Sequence, residues 1–400
     1  TRPSARMTTT SGLASAGALS GGAGNSGSGA VEIAPGSASA RGSEREAPVV
    51  AQPPRWVATR AISTSARQRQ DMAPARWVSG RGLSTPGVHA VAAALWHTVR
   101  MIALLDAASN LGLKRPAPDR EPGTRYAPWQ LRALGLAAQL GARDAGAVPV
   151  PAYSGERDAD TGVLHAPLLK RCGLDLAEAL APILDAGEVP LVLGGDCSVL
   201  PGALLALRRR GRYGLLYVDG HRDLLTPARS QHGAAAGMAL ALALGHGPES
   251  LVSLGGYRPL VDAQDVLVLG HRDLDRWYEP EVLREQREAM ESVDVAGLRR
   301  EGIENAVVAR MGRLRASGID GLWIHLDVDV LDPGLMPAVD CPEPGGLLAD
   351  ELVQVLDLAC ATGQVAGMHV TIYDPERDPD QRCGRLLVDI LARGLARLRS

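Results

Sequence analysis

The sequence predicts an α/β protein with a three-layer α/β/α arrangement, a mostly parallel central sheet carrying helices on both faces. Two observations predict it. From residue 101 onward, short apolar runs of strand length alternate with longer runs of helical periodicity. Three of those apolar runs end in acidic and imidazole side chains, and an open parallel sheet gathers its functional residues beyond the carboxyl ends of its strands. Alternation on this scale calls for parallel strands, because each must be reached through a crossover.

In chain order, the first apolar run is Met-Ile-Ala-Leu-Leu-Asp at 101–106. Further strands are expected at 148–151, 190–193, 214–219, 265–269, 321–327 and 364–371. Helical patterns fall between them, at about 128–140, 174–186, 199–210, 234–244, 280–290, 303–316, 349–361 and 384–398. No internal repeat is evident.

Before residue 101 the composition changes. Residues 1–75 are rich in Gly, Ser, Ala, Thr and Arg and lack apolar periodicity, which is the composition of a disordered segment. A short helix is expected near 88–99. The organisation is then a disordered tail over 1–100 followed by a folded domain over 101–400, with Met101 a candidate start of the native chain.

The bulk numbers exclude several classes. A hydrophobic fraction of 46% and a charged fraction of 22% are those of a globular chain. A net charge of −3 supplies no basic field for nucleic acid or an anionic membrane. The longest apolar stretch, 88–108, is broken by His97, Arg100 and Asp106, so no membrane span is expected. There is no basic segment leading into an apolar one, so no secretory signal is expected. The five cysteines are scattered without a CxxC pair, which argues against a zinc knuckle or disulfide framework. A reducing, cytoplasmic location is expected.

The chemistry sits at three strand ends. The first reads Leu191-Val192-Leu193-Gly194-Gly195-Asp196-Cys197-Ser198. The second reads Leu216-Tyr217-Val218-Asp219-Gly220-His221-Arg222-Asp223. The third reads His325-Leu326-Asp327-Val328-Asp329-Val330-Leu331-Asp332-Pro333. Ordinary loop polarity is the bland explanation. Carboxylates converging at one end of a sheet repel one another, however, unless cations neutralise them. Oxygen-rich sites with one or two imidazoles suit manganese-like divalent ions. Asp219, His221 and Asp223 alternate, as do Asp327 and Asp329, so in extended backbone each set shares a face and can reach one metal cluster.

The order GGD-x-S, D-x-H-x-D and D-x-D-x-x-DP, with PEPGGL following, resembles the ureohydrolase family of arginases, agmatinases and formiminoglutamases, and the resemblance covers essentially all of 101–400. It implies the arginase-like fold with about eight strands and a homo-oligomer, trimer or hexamer. It also implies two divalent metals, manganese first. Asp219 and Asp327 would bridge them, Asp223 would complete one position, where Cys197 is a further candidate ligand, and His221 and Asp329 would complete the other. By the same resemblance a metal-bridging hydroxide attacks a guanidine or amidine carbon. Asp223 passes the proton to the leaving amine, His232 shuttles protons, and Asp275 in His271-Arg272-Asp273-Leu274-Asp275 contacts the substrate. Asp332 supports its loop.

Three departures from that pattern bear on function. Cys197 stands where the family has a metal-binding histidine. A thiolate there adds negative charge and favours zinc, iron or nickel. A protonated thiol leaves a weak or empty first position, and a thiol turned away leaves a place for water. Ile372, three residues before Pro375, replaces an acid that binds the guanidinium group, with His369, Tyr373 and Glu376 as other polar groups nearby. Leu225 replaces an asparagine that binds the α-amino-acid end in arginases, which disfavours L-arginine, and Arg229 or Arg258 is a candidate for a substrate carboxylate. The expected function is metal-dependent hydrolysis of a C–N bond in a small guanidino, amidino or formimino compound. The alternative is a catalytically degenerate relative that binds or regulates.

Overall fold

The structure, a computed structural model, describes residues 100–399. The disorder expected before residue 100 and the helix expected at 88–99 lie outside the described residues.

Among the described residues eight strands form one sheet: β1 (Ile102–Ala107), β2 (Arg143–Ala147), β3 (Val189–Gly194), β4 (Tyr213–Val218), β5 (Val266–Leu269), β6 (Glu291–Val293), β7 (Gly321–Asp327) and β8 (Val365–Thr371). Their order across the sheet is β2-β1-β3-β8-β7-β4-β5-β6, and every pairing is parallel. The residues of β3, β5, β7 and β8 are buried throughout, as strands covered on both faces must be, and this is why they read as mainly apolar runs without the alternation of a half-exposed strand. The longest covering helices are Ala166–Asp185, Ile303–Ala316, Ala349–Ala361 and Arg382–Gly394. Among the described residues no helix is long and apolar enough to cross a membrane.

The edges of the sheet depart from expectation. The strand expected at 148–151 lies at Arg143–Ala147 instead. Pro149 and Pro151 lack the N–H that a ladder needs, while an edge strand pairs on one side and tolerates polar, exposed residues. At the other edge, Glu291–Val293 is a three-residue strand too short and polar to announce itself. Helix bounds shift as well. The run 128–140 is split into Ala127–Ala133 and Leu136–Leu140 by Gly135, whose φ of 86° no helix accommodates. Of the run 234–244 only Ala239–Ala243 is α-helical.

The central order matters most for function. The three strands that carry the acidic motifs, β3, β7 and β4, are joined by β8 into four contiguous parallel strands.

Candidate metal centre

Each motif lies at or just past the end of a buried strand, so the sheet order decides what meets. Cys197 follows β3, Asp219 to Asp223 follow β4, Asp327 closes β7 with Asp329 beyond it, and Thr371 closes β8. Parallel neighbours deliver all of these to one edge. The Gly-Gly-Asp segment makes that delivery tight. A Cβ on Gly195 would lie 1.6 Å from the Ser109 carbonyl oxygen, so only glycine fits. Asp196 then anchors the neighbouring loop, accepting bonds from the Ser109 hydroxyl and from the backbone N–H groups of Gly112 and Ser198. The glycine pair is a packing device.

Within the cluster, the Cys197 thiol donates to Asp327 Oδ2 at 3.0 Å and lies 3.3 Å from Thr371 Oγ1. Asp327 Oδ1 accepts the Asp329 N–H at 2.7 Å. His221 Nδ1 lies 2.9 Å from Asp329 Oδ2 and 3.8 Å from Asp219 Oδ1. The Gly220 N–H holds Asp329 Oδ1 at 3.0 Å, and the His221 N–H holds Asp219 Oδ1 at 2.6 Å. Asp223 takes the left-handed conformation, φ 48°, and its Oδ2 accepts the Tyr217 hydroxyl at 2.6 Å.

The electrostatics are those of anions crowded out of water. Burial, then repulsion from neighbouring carboxylates, pushes Asp219 and Asp327 well above the usual carboxylate range. Burial raises Asp223 to about 7, against the opposing bond from Tyr217. Burial and the charges of Asp327, Asp223 and Asp219 raise the Cys197 thiol, in keeping with its role as a donor. Asp329 is buried too, yet the bond from His221 holds it below its ordinary value. Burial opposes charge on His221 as well, and its bond to Asp329 overrides that and raises it.

This donor set fits divalent cations. Asp219, His221 and Asp329 offer atoms all within 4.8 Å of one another, and so do Cys197, Asp219, His325 and Asp327. Asp219 belongs to both sets and so lies between two positions. Asp223 is in neither set, and its Oδ2 accepts the Tyr217 hydroxyl. A third set, His221, Cys341 and Glu343, reaches toward the surface.

A cavity of about 300 Å³ opens over the cluster. Cys197, His221, Asp223, Asp327 and Asp329 line its floor, and Ile372 lines it too, a β-branched residue at φ 74°. His232, exposed, and Leu225 are on the wall, as are Asp340, Cys341, Lys114 and Arg229. Arg229 also lies 3.3 Å from Glu279.

The structure thus brings together Cys197, Asp219, His221, Asp223, Asp327 and Asp329, with His232 on the cavity wall. It does not bring Asp275 there. That carboxylate is exposed and is taken by Arg222 at 2.9 Å and by Arg287, and the wall nearby is made by Trp277 and Tyr278. Tyr373 donates to Asp378 inside the protein, Glu376 pairs with Arg120, and Arg258 pairs with Glu249. Asp332 accepts backbone N–H groups of Gly334 and Gly345, which supports its loop.

Sequence reasoning passed over Tyr217, Asp340 and Cys341 and gave His325 no role. A usable sign existed for two of them. Tyr217 and His325 each stand two residues before a ligand candidate, Asp219 and Asp327, and period two places them on the same face of the strand.

Comparisons with known proteins agree with this geometry. The profile of the arginase family matches residues 116–396. An arginase of Brevibacillus brevis is 31% identical over 220 residues, spanning 54% of this chain and 72% of that one. An arginase of Bacillus subtilis (strain 168) is 28% identical over 296 residues, 73% of this chain and 96% of that one. The crystal structure of the arginase from Bacillus subtilis superposes with a TM-score of 0.65 at 26% identity, over 74% of this chain and 98% of that one.

Proposed function

The chain belongs to the arginase family, hydrolases of C–N bonds in linear amidines, and on that premise we propose that it hydrolyses a small guanidino, amidino or formimino compound other than L-arginine. The observation that carries this reading is the meeting of His221, Asp223, Asp327 and Asp329 at the floor of one cavity, with Asp219 behind them within reach of both ligand sets.

Two divalent ions, manganese first, suit the donor set. Asp219, His221 and Asp329 would hold one, and Asp219, Asp327 and Cys197 the other, with Asp223 beside them. When bound, such ions supply positive charge that polarises the substrate and makes water acidic enough to yield hydroxide near neutral pH. The chain's own residues do the rest. Asp223, raised to about 7, is suited to accept a proton from the attacking water and return it to the departing nitrogen. Tyr217 keeps that carboxylate in place through its 2.6 Å bond. His232, exposed on the wall, is suited to exchange protons with solvent.

Substrate choice follows from the wall. Ile372 offers no charge to a guanidinium, and Asp340 is the wall carboxylate outside the two metal sets that can balance one. Lys114 and Arg229 offer positive charge for an acidic tail, whereas Leu225 offers nothing to an α-amino-acid end. This combination supports a cationic amidine joined to a carboxylate that bears no α-amino group, and so disfavours L-arginine. A second reading, a relative that binds such a compound without turning it over, rests on Cys197, whose thiol occupies a lone pair of Asp327.

The test is metal content per chain by elemental mass spectrometry after manganese supplementation, followed by urea, ammonia or formamide release from a panel of guanidino, amidino and formimino acids that includes L-arginine. Two metals in the wild type, lost in Asp327→Ala, with turnover of a compound other than L-arginine, is the expected result. Full metal loading without turnover would favour the second reading, and L-arginine as the best substrate would overturn the specificity argument.

A further inference from the structure

One part of the cluster admits two roles. His325 lies with Cys197, Asp219 and Asp327 in a set able to hold a cation, so its imidazole could replace the one that Cys197 lacks. The hydrogen bonds around it argue otherwise.

Across the sheet, Tyr217, His325 and His369 are register partners on β4, β7 and β8, side by side on one face. Trp323 lies two residues before His325 on that face. Its register partner is Gly367, where an added Cβ would lie 2.4 Å from the indole ring, so the glycine gives the indole room to lie over β8. The indole Nε1 then donates to His369 Nδ1 at 2.9 Å. His369 Nε2 meets His325 Nδ1, and His325 Nε2 lies 3.3 Å from Asp219 Oδ2. All three rings are fully buried, and Tyr217 stacks on His325 with centroids 4.0 Å apart and planes 5° from parallel.

An indole N–H can only donate. His369 must therefore accept at Nδ1 and carry its proton on Nε2. His325 must accept at Nδ1 and carry its proton on Nε2, which leaves no lone pair there for a metal. An imidazolium at either ring would set two N–H groups against each other. We propose that Trp323 and His369 fix His325 as an N–H donor to Asp219, making it a positioning residue for the shared carboxylate and not a metal ligand. The inference rests on the metal-binding reading of Asp219 given above. A carboxylate oxygen has two lone pairs. Asp219 Oδ2 takes the imidazole N–H and Oδ1 takes the His221 N–H, so each oxygen keeps one for a cation. The arrangement leaves His221 as the imidazole ligand of the centre and keeps the first position rich in oxygen.

The experiment is long-range proton–nitrogen NMR of the full chain with 15N-labelled histidine, metal-free and then loaded with zinc, with His325 and His369 assigned by substitution among the nine histidines. In the metal-free protein both rings are expected as Nε2–H tautomers, and His325 is expected to keep that proton when zinc shifts the His221 signals. A His325 carrying its proton on Nδ1, or one whose Nε2 moves to the metal-bound range with zinc, would overturn the proposal. Zinc affinity supplies a second readout. Glutamine places an amide donor near the position of Nε2 but is a poor metal ligand. His325→Ala is therefore expected to weaken zinc binding about 10–100-fold, the usual cost of losing a partner behind a ligand, with His325→Gln recovering most of it. Equal losses in both variants would mean ligation. If zinc does not bind the wild type at all, the metal reading fails, and the metal-free tautomers still decide this proposal.

Discussion

Cys197 sets the charge of the centre through one proton. As a thiol it donates to Asp327 Oδ2, using a lone pair that a cation would otherwise take, and burial among carboxylates resists its ionisation. As a thiolate it would add a fifth anion to Asp219, Asp223, Asp327 and Asp329, and manganese is too hard an ion to reward that. A neutral imidazole at the same place has a lone pair and no charge. Cys197→His is therefore expected to tighten manganese binding by about tenfold or more, roughly 1.4 kcal/mol. Titration of metal-free protein with Mn²⁺, followed by electron paramagnetic resonance, would check this. Unchanged or weaker binding would mean that the thiol is not what limits the site.

At the scale of the element, the strands work as carriers whose last side chains are fixed by period two, and this decides what the sequence reveals. β3, β7 and β8 are legible because strands covered on both faces need mainly apolar runs, and the ligand candidates are legible because acids follow those runs at their ends. β2 and β6 are not, because an edge strand pairs on one side and tolerates Arg, Asp and Glu. Asp275 misled for a related reason. Spacing shows that an acid is near the site but not that Arg222 and Arg287 claim it, since those partners come from other segments. Glycines divide in the same way, and two substitutions show it. Gly195→Ala sets a methyl 1.6 Å from a backbone oxygen that cannot rotate away, so a loss of about 1–3 kcal/mol or more is expected. Gly312→Ala, in the helix Ile303–Ala316 with nothing within 4 Å of the added carbon, is expected to gain about 0.5–1 kcal/mol. Urea unfolding midpoints would separate the two, and a gain at Gly195 would contradict the close approach of the Ser109 loop.

For the molecule as a whole, an edge crowded with carboxylates is a weakness until cations arrive. The folded chain holds a proton on Asp223 up to about pH 7, whereas an ordinary aspartate releases it near 3.8. Between those values the folded form binds more protons than the unfolded form, so stability falls as pH rises from about 4 to 7 and levels off above. Asp219 and Asp327 shift in the same direction. His221, raised above its ordinary 6.5 despite burial, extends the fall on the alkaline side. Asp273 has the opposite sign. Burial opposes its charge, but its bonds to His271, Arg222 and Tyr278 hold it at about 2, so its contribution is present above pH 3.8 and is lost only as pH drops through about 2. Divalent ions reverse the slope, because they bind the ionised carboxylates of the folded chain alone and add about 2.7 kcal/mol at a hundred times their dissociation constant. The urea midpoint of chelator-treated protein is thus expected to decline from pH 5 to pH 7.5, and the midpoint with excess Mn²⁺ to rise over the same range. A flat metal-free profile would mean that the carboxylates are not crowded as their distances indicate. A decline that Mn²⁺ fails to reverse would mean that their crowding serves no cation, and the hydrolase reading would fall with it.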